Sequence, residues 1–156
     1  MKNSLFFVAN DYIIAKENAK RVADFFSMRL FDTIEMFEFD HSPRTINEVI
    51  KDFGSDYVRK ELKSILNMGL EFEDIVIVAD FNYIDCFNSL YQKANDKSLV
   101  IYLNDKDIKI SDDLRNQRLG FLKDACDLAL DITNEDDNQV FDEIINSIKT
   151  YFNYEG

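Results

Sequence analysis

The chain has few of the residues that usually build reactive or metal-binding sites. Cys86 and Cys126 form no C-x-x-C pair, and His41 is the sole histidine. One imidazole without a cysteine cluster does not predict a zinc site. Each cysteine lies among apolar neighbours, which predicts buried and unreactive thiols. Aspartates and glutamates are numerous, and several of them could hold a magnesium ion through one carboxylate and water molecules.

The glycines are too scattered to form a standard phosphate-binding loop. Such loops need glycine where backbone amides crowd a ligand or where φ is positive. The four glycines are single residues at Gly54, Gly69, Gly120 and Gly156. No Gly-rich nucleotide loop, dinucleotide fingerprint or nucleophile elbow can therefore be written in this sequence.

The net charge and the short apolar runs of the chain exclude some classes of binding partner. The 156 residues include 30 acidic and 18 basic side chains, for a formal net charge of -12. A negative field repels phosphate backbones and anionic lipid, so neither nucleic acid nor a membrane is an expected partner. The apolar run LFFVA near the amino terminus is too short for a signal peptide or a membrane span. We expect a cytoplasmic protein with reduced thiols and a single domain over residues 1–156.

Apolar runs alternate with amphipathic segments along the chain. Runs rich in Val, Ile and Phe predict buried parallel strands, and a 3.6-residue period predicts helices. The predicted strands are residues 4–9, 29–33, 75–79, 98–103 and 127–132. The predicted helices are residues 14–28, a stretch over 34–68 that breaks near 41–43 and at Gly54, and residues 83–94, 112–125 and 135–154. Thr45 and Ser55 are the expected N-caps after the two breaks.

This alternation predicts an α/β fold. It is a three-layer sandwich in which a five-stranded, mostly parallel sheet is covered by helices on both faces. Ligands in such folds bind at the carboxyl ends of the strands. That rule directs attention to residues 10–16, 32–35, 80–83 and 104–109 and to the segment before Asp127.

Several segments, taken in order, resemble the shikimate kinases, small P-loop kinases that move the γ-phosphate of ATP onto a hydroxyl of shikimate. The stretch FFVANDYIIAKENAKRVADFFSMRLFDTIEMFE resembles the family's opening strand, phosphate loop, first helix and F-I-D-T-D-x-x-I-E strand. Four later stretches of the chain also resemble segments of the family, in the same order: INEVIKDFGSDYVRKEL, IVIVADFN, LVIYL and RLGFLKDACDLALDIT. The resemblance implies a P-loop kinase fold, with ATP and magnesium as cofactors if the chain is an active kinase.

Four residues match positions that bind ligands in that family. Lys16 stands at the P-loop lysine and is the candidate nucleotide-binding residue. Asp32 matches the first carboxylate of the family's D-x-D pair, a substrate-binding position. Arg59 and Arg118 match the two arginines that grip the substrate carboxylate, a task that suits a planar guanidinium. No residue is assigned as catalytic or as a metal ligand.

Other positions depart from the family pattern. The P-loop motif G-x-x-x-x-G-K-[ST] falls on residues 10–17, NDYIIAKE, where only the lysine matches. Ile34 occupies the second carboxylate position, and residues 80–82 read DFN where the family has a glycine triplet. The segment over residues 104–118 is too short for the family's long basic lid. These departures predict the loss of the positioning and charge neutralisation that phosphoryl transfer needs.

Each candidate residue also has a purely structural interpretation. Lys16 could be an exposed helix lysine, and Asp32 could cap a helix after a strand. The two arginines could pair with carboxylates such as Asp56 or Asp32. Asp80 and Asp85 fit turn and capping positions.

We favour a catalytically impaired shikimate-kinase-like protein, a pseudokinase that acts as a binding or regulatory module. One alternative is a divergent active shikimate kinase, or another small-molecule kinase that uses Lys16, Arg59 and Arg118. A second alternative is a protein-interaction domain with no small-molecule site. The expected partner is accordingly a small carboxylate ligand or a protein.

Overall fold

The computed structural model describes residues 2–105, 111–132 and 136–153. Its five strands form one sheet in the order β2-β3-β1-β4-β5, and every neighbouring pair is parallel. The strands are β1 (Ser4–Ala9), β2 (Arg29–Asp32), β3 (Ile75–Val78), β4 (Ser98–Asp105) and β5 (Leu128–Ile132). The predicted α/β class with helices on both faces of a five-stranded sheet is confirmed.

The central strands are the ones with unbroken apolar runs. β1 and β3 are buried at every position, and in the register Phe6 lies opposite Ile77 of β3 and Val100 of β4. Successive side chains of a strand point to opposite faces of the sheet. In a central strand both faces are covered by helices, so a continuous apolar run indicates a central strand. The burial of β5 alternates instead, as expected for a strand at the sheet edge.

Seven α-helices and one 3₁₀ segment are described. The helices are α1 (Tyr12–Phe26), α2 (Thr33–Asp40), α3 (Ile46–Phe53), α4 (Ser55–Gly69), α5 (Tyr91–Lys97), α6 (Asp112–Asp124) and α7 (Asp137–Tyr151). The 3₁₀ segment runs over Phe81–Leu90, between β3 and α5. None of the described helices is long and apolar enough to cross a membrane.

Two apolar cores fill the two faces of the sheet. On one face α1 and α7 pack against the strands, with Ala15, Ala19 and Ile144 fully buried. On the other face α4, the 3₁₀ segment and α6 surround a core rich in phenylalanine. Its fully buried rings are Phe6, Phe37, Phe81, Phe87 and Phe121. Aromatic side chains bury a large apolar area each, so this core does not need tryptophan, which the chain lacks.

Several predicted boundaries were wrong, and local hydrogen bonds explain why. α1 begins two residues before the predicted start at Ile14, because the side chain of Asp11 accepts the backbone N–H of Ile13 and caps the helix. Ser55 is the first residue of α4 and not its cap; Gly54 holds that position with φ of 92°, which favours glycine. Thr45 caps α3, as predicted.

The predicted helix over residues 83–94 is the largest error. The chain runs through 3₁₀ turns from Phe81 to Leu90 and becomes α-helical only at Tyr91. The segment is rich in Asn, Asp and Ser, whose side chains compete for backbone groups and favour tighter local turns. The hydroxyl of Tyr91 donates to the carbonyl of Ile84 at 2.8 Å and ties the segment to α5.

α7 is shorter than predicted. It begins at Asp137 with Asp136 as its cap and ends at Tyr151, whereas residues 135–154 were predicted. Residues 133–135 and 154 lie outside the described part of the chain.

Candidate functional site

The candidate site is the carboxyl edge of the sheet, formed by the residues that follow β1, β2, β3 and β4. Only Asn10 and Asp11 connect β1 to α1. Asp11 accepts the backbone N–H of Ile13 with its side chain at 2.8 Å, and its carbonyl accepts the N–H of Ala15 at 3.2 Å. Residues 12–17, which the resemblance assigns to a phosphate loop, are therefore the first turns of a helix. The carboxylate of Asp11 thus caps the N-terminus of α1.

Lys16 lies on α1, and its ammonium forms an ion pair with the carboxylate of Glu35 in the first turn of α2. The hydrogen bond that Lys16 donates to Glu35 raises the pKa of Lys16, and partial burial opposes that rise. The ring of Tyr12 lies 5.9 Å from the Lys16 nitrogen. The candidate nucleotide-binding lysine is thus paired with an acidic side chain of the same protein.

Asp32 is 3% exposed and caps α2. Its Oδ1 accepts the backbone N–H groups of Ile34 at 2.9 Å and Glu35 at 3.3 Å, and its Oδ2 accepts the hydroxyl of Tyr12. Burial raises the pKa of Asp32 above its usual value. Burial, and then the bond to Asp32, raise the pKa of Tyr12. Both carboxylate oxygens of Asp32 have hydrogen-bond partners within the fold.

Arg59 on α4 is paired with Asp85 of the 3₁₀ segment. This pairing raises the pKa of Arg59. The guanidinium also lies 5.9 Å from the centre of the Tyr83 ring. The structural interpretation of an ion pair with a carboxylate fits Arg59, but its partner is Asp85 and not Asp56 or Asp32, because the 3₁₀ path of residues 81–90 brings Asp85 to the arginine.

Asp80 lies between β3 and the 3₁₀ segment and is the N-cap of that segment. Its side chain accepts the backbone N–H of Asn82 at 2.9 Å and the amide of the same residue at 3.1 Å. Burial raises the pKa of Asp80. Asp80 is a capping residue, as its structural interpretation predicted, whereas Asp85 is an ion-pair partner.

A polar network at the ends of β1 and β4 was missed by sequence reasoning. The amide of Asn10 donates to the side chain of Asn104 at 3.2 Å and to the carbonyl of Asp105 at 2.9 Å. The hydroxyl of Tyr102 donates to the side-chain oxygen of Asn10, and Asn104 donates to Asp131 at 3.0 Å. The sequence offers one sign of this network, which is an asparagine directly after each of two apolar runs. The network joins the ends of β1 and β4 at the carboxyl edge of the sheet.

The candidate residue Arg118 lies in α6, but its side chain is outside the described part of the chain, as are residues 106–110. The structure therefore places Lys16, Asp32 and Arg59 at the carboxyl edge. Within residues 2–105, 111–132 and 136–153, no three acidic, histidine or cysteine side chains cluster as metal ligands would.

The cysteines and the histidine lie in structural settings. Burial raises the pKa of Cys86 to about 12 and that of Cys126 to about 11, which keeps both thiols protonated near neutral pH. His41 stacks on Phe37 with ring centres 4.1 Å apart, and its Nε2 lies 2.8 Å from the hydroxyl of Tyr57.

Known proteins resemble the chain in structure. No protein-family model matches the sequence, and no curated protein matches it. The shikimate kinase from Bacteroides thetaiotaomicron is similar with a TM-score of 0.77 and 16% identity, over 96% of this chain and 98% of that one.

Two further shikimate kinases are similar over most of their length. The enzyme from Acinetobacter baumannii, solved in complex with shikimate, has a TM-score of 0.75 and 11% identity over 97% of this chain and 95% of its own. The enzyme from Aquifex aeolicus has a TM-score of 0.73 and 14% identity over 97% and 99%. At these identities the likeness establishes the fold. The chain has a shikimate-kinase-like P-loop α/β fold.

Proposed function

We propose that this chain is a catalytically impaired shikimate-kinase-like protein that acts as a binding or regulatory module. One observation carries the proposal. Acidic side chains of the chain itself occupy three places where the resemblance puts ligand anions. Asp11 caps the N-terminus of α1, Glu35 pairs with Lys16, and Asp85 pairs with Arg59.

The residues at the end of β1 do not fit magnesium and ATP. A phosphate cradle needs backbone N–H groups that point at the ligand from a loop. Here residues 12–17 are helical, and Asp11 puts negative charge at the helix N-terminus. Glu17 stands where the resemblance puts the magnesium-binding hydroxyl, so it adds a second carboxylate near a triphosphate.

The part of the site that would bind the phosphoryl acceptor also lacks residues that the resemblance implies. Ile34 stands at the second carboxylate position of the family pattern and is 6% exposed, packed in the apolar core. An aliphatic side chain cannot accept a proton from a substrate hydroxyl. Arg59 is engaged by Asp85, so a substrate carboxylate would have to displace that partner. A small carboxylate or a protein surface remains the proposed partner of the module.

The test is a phosphotransfer assay with purified protein, ATP, magnesium and shikimate, run beside a shikimate kinase as positive control. We expect no shikimate phosphate above the enzyme-free rate. Turnover that disappears in a Lys16→Ala variant would overturn the proposal.

A divergent active small-molecule kinase is the second candidate. It is favoured by the likeness to shikimate kinases over almost the whole chain, and by the position of Lys16 and Arg59 at the same edge of the sheet. This candidate requires the Lys16 and Arg59 ion pairs to open when substrates bind. It predicts that ATP and shikimate together raise the melting temperature more than either ligand alone.

A further inference from the structure

β5 is an outer strand of the sheet, and no strand within the described residues pairs with its second side. The backbone N–H of Asp127 donates to the carbonyl of Val100 on β4 at 2.9 Å. Because the backbone groups of successive residues point to alternate sides of a strand, Ala129 also faces β4, whereas Leu128 and Leu130 direct their N–H and C=O groups to the outer side. We call the outer side of residues 128–130 the β5 edge.

The β5 edge is accessible to another chain. Leu128 and Leu130 are half-buried and Ala129 is exposed, whereas Ile132 at the end of the strand is 4% exposed. The carbonyl of Leu128 accepts the thiol of Cys126 at 3.1 Å, and a carbonyl oxygen can accept a second hydrogen bond. A row of backbone donors and acceptors at a sheet edge binds an extended chain as an added strand.

A groove of about 400 Å³ lies between β5 and the last turns of α7. Its lining residues are all uncharged: Leu128, Asn146, Ser147, Thr150 and Tyr151. The side chains of Leu128 and Leu130 pack into the core on this same side of the sheet, together with α7. In an added strand, the residues directly opposite Leu128 and Leu130 lie on the α7 side, so apolar side chains suit these positions.

The charge around β5 distinguishes between possible partners. Residues 124–148, from the end of α6 through β5 to most of α7, include eight acidic side chains and no basic one. Two copies of the chain, each with a net charge of -12, would bring these acidic stretches together and repel each other. A basic segment is attracted instead. The other outer strand, β2, begins with the exposed Arg29, a charge that disfavours the pairing of a basic segment there.

We propose that the β5 edge binds an extended segment of a partner protein in which apolar and basic residues alternate, as a sixth, antiparallel strand. The apolar residues of the segment lie opposite Leu128 and Leu130 on the α7 side. Its basic residues lie on the other face of the sheet, opposite Ala129. This surface goes beyond the proposed function, because binding at β5 does not depend on whether the Lys16 and Arg59 ion pairs open.

Two peptides of equal composition test the alternation. The probe is acetyl-KVKVKVK-amide, and the control is acetyl-KKKKVVV-amide, which has the same charge without the alternation. Amide hydrogen exchange in the isotopically labelled full-length protein is followed by NMR. We expect the probe at saturation to slow exchange of the Leu128 and Leu130 amides at least about tenfold and to leave the amides of β2 unchanged. The control peptide should bind at least about fivefold more weakly.

Two N-methylated peptides test the backbone pairing without changing the protein. In the proposed register the valine amides donate to β5 and the lysine amides point away from it. Methylation of the central valine amide removes a hydrogen bond between the strands and should weaken binding at least about fivefold. Methylation of an adjacent lysine amide should leave the affinity unchanged.

Substitutions at the exposed Ala129 test the charge assignment. Ala129→Lys should weaken binding of the probe about threefold, because a lysine of the probe lies opposite, and Ala129→Glu should not weaken it. The proposal is overturned if the two peptides of equal composition bind equally, if the two methylated peptides bind equally, or if exchange at Leu128 and Leu130 does not slow. Protection of these two amides by protein concentration alone would identify a second copy of the chain as the occupant and would also overturn it.

Discussion

At the scale of single residues, Lys16 and Arg59 each face a carboxylate of the same chain. Such a pair lowers the energy of the charged cation and reduces its attraction for an outside anion. The cationic groups of Lys16 and Arg59, which suggest anion binding in the sequence, therefore already have anionic partners in the fold.

Removing the charge of Glu35 tests this pairing. Glu35→Gln should lower the pKa of Lys16, because the hydrogen bond that Lys16 donates to the Glu35 carboxylate is the largest cause of its elevation and burial acts downward. The measurement is the titration of the Lys16 side chain by carbon NMR. Glu38→Gln is the matched control, since the coulombic attraction of Glu38 raises the pKa of Lys16 less than that of Glu35 or Asp32 does. An unchanged Lys16 pKa in Glu35→Gln would contradict the ion pair.

The thiols give a second residue-scale prediction. Because burial raises the pKa of Cys86 to about 12 and of Cys126 to about 11, few thiolates exist at pH 8.5. We expect alkylation by iodoacetamide at that pH to be at least about a hundredfold slower in the folded protein than in urea. The reaction should accelerate as pH rises toward these values, and equal rates in both states would show that the thiols are accessible and ionised.

The positions of three candidate residues in the fold could be predicted from the sequence more readily than their contacts. Asp32 ends β2 and Lys16 lies in the helix after β1, so both lie at the carboxyl edge, where the ends of parallel strands converge. Arg59 lies on α4 and pairs there with Asp85, in the segment that follows β3. The pairing of Arg59 with Asp85 depends on a 3₁₀ path that helical periodicity did not indicate. The network of Asn10, Tyr102 and Asn104 depends on which strands are neighbours.

At the scale of elements, the first helix depends on its cap. Asp11→Ala should lower the free energy of unfolding by about 1 kcal/mol, because the N–H of Ile13 loses its side-chain acceptor. Asp11→Asn should cost much less, since an amide oxygen can accept the same bond. Urea unfolding measures both, with Asp24→Ala, at an exposed position inside α1, as the control. An equal loss in both Asp11 variants would mean that charge, and not the cap, stabilises the helix.

Two glycines in helices should respond in opposite directions to alanine. A Cβ at Gly69 would lie 2.6 Å from a ring carbon of Phe31, so Gly69→Ala should destabilise by about 1–3 kcal/mol. A Cβ at Gly120 meets nothing within 4 Å, so Gly120→Ala should stabilise α6 by about 0.5–1 kcal/mol. Thermal unfolding compares the two variants. Partial recovery of Gly69→Ala by Phe31→Leu would identify the ring as the cause, and a neutral Gly69→Ala would contradict the close packing.

The sequence predicted the strands more accurately than the helices. Each apolar run became a parallel strand within a residue or two at its ends, because burial on both faces leaves a clear signature. Helix boundaries depend on single caps, such as Asp11 at α1 and Gly54 at α4, whose hydrogen bonds and φ angles are not visible in periodicity.

At the scale of the whole molecule, acidic side chains of the chain are the partners of cationic groups at the carboxyl edge of the sheet. Asp11, Glu35 and Asp85 stand at the carboxyl edge and satisfy, from within, a helix N-terminus and two cations. The fold is shikimate-kinase-like. Under the proposed function, the carboxylates at its carboxyl edge disfavour the binding of ATP and of a substrate anion there.

The most direct test is calorimetric titration of Mg-ATP and of pyrophosphate into the wild-type protein and into the combined variant Asp11→Asn, Glu35→Gln, Asp85→Asn. We predict no saturable binding of either ligand to the wild type, and measurable pyrophosphate binding to the variant, in which the same cations no longer face a carboxylate. Saturable binding of Mg-ATP to the wild-type protein that is lost in Lys16→Ala would contradict the account.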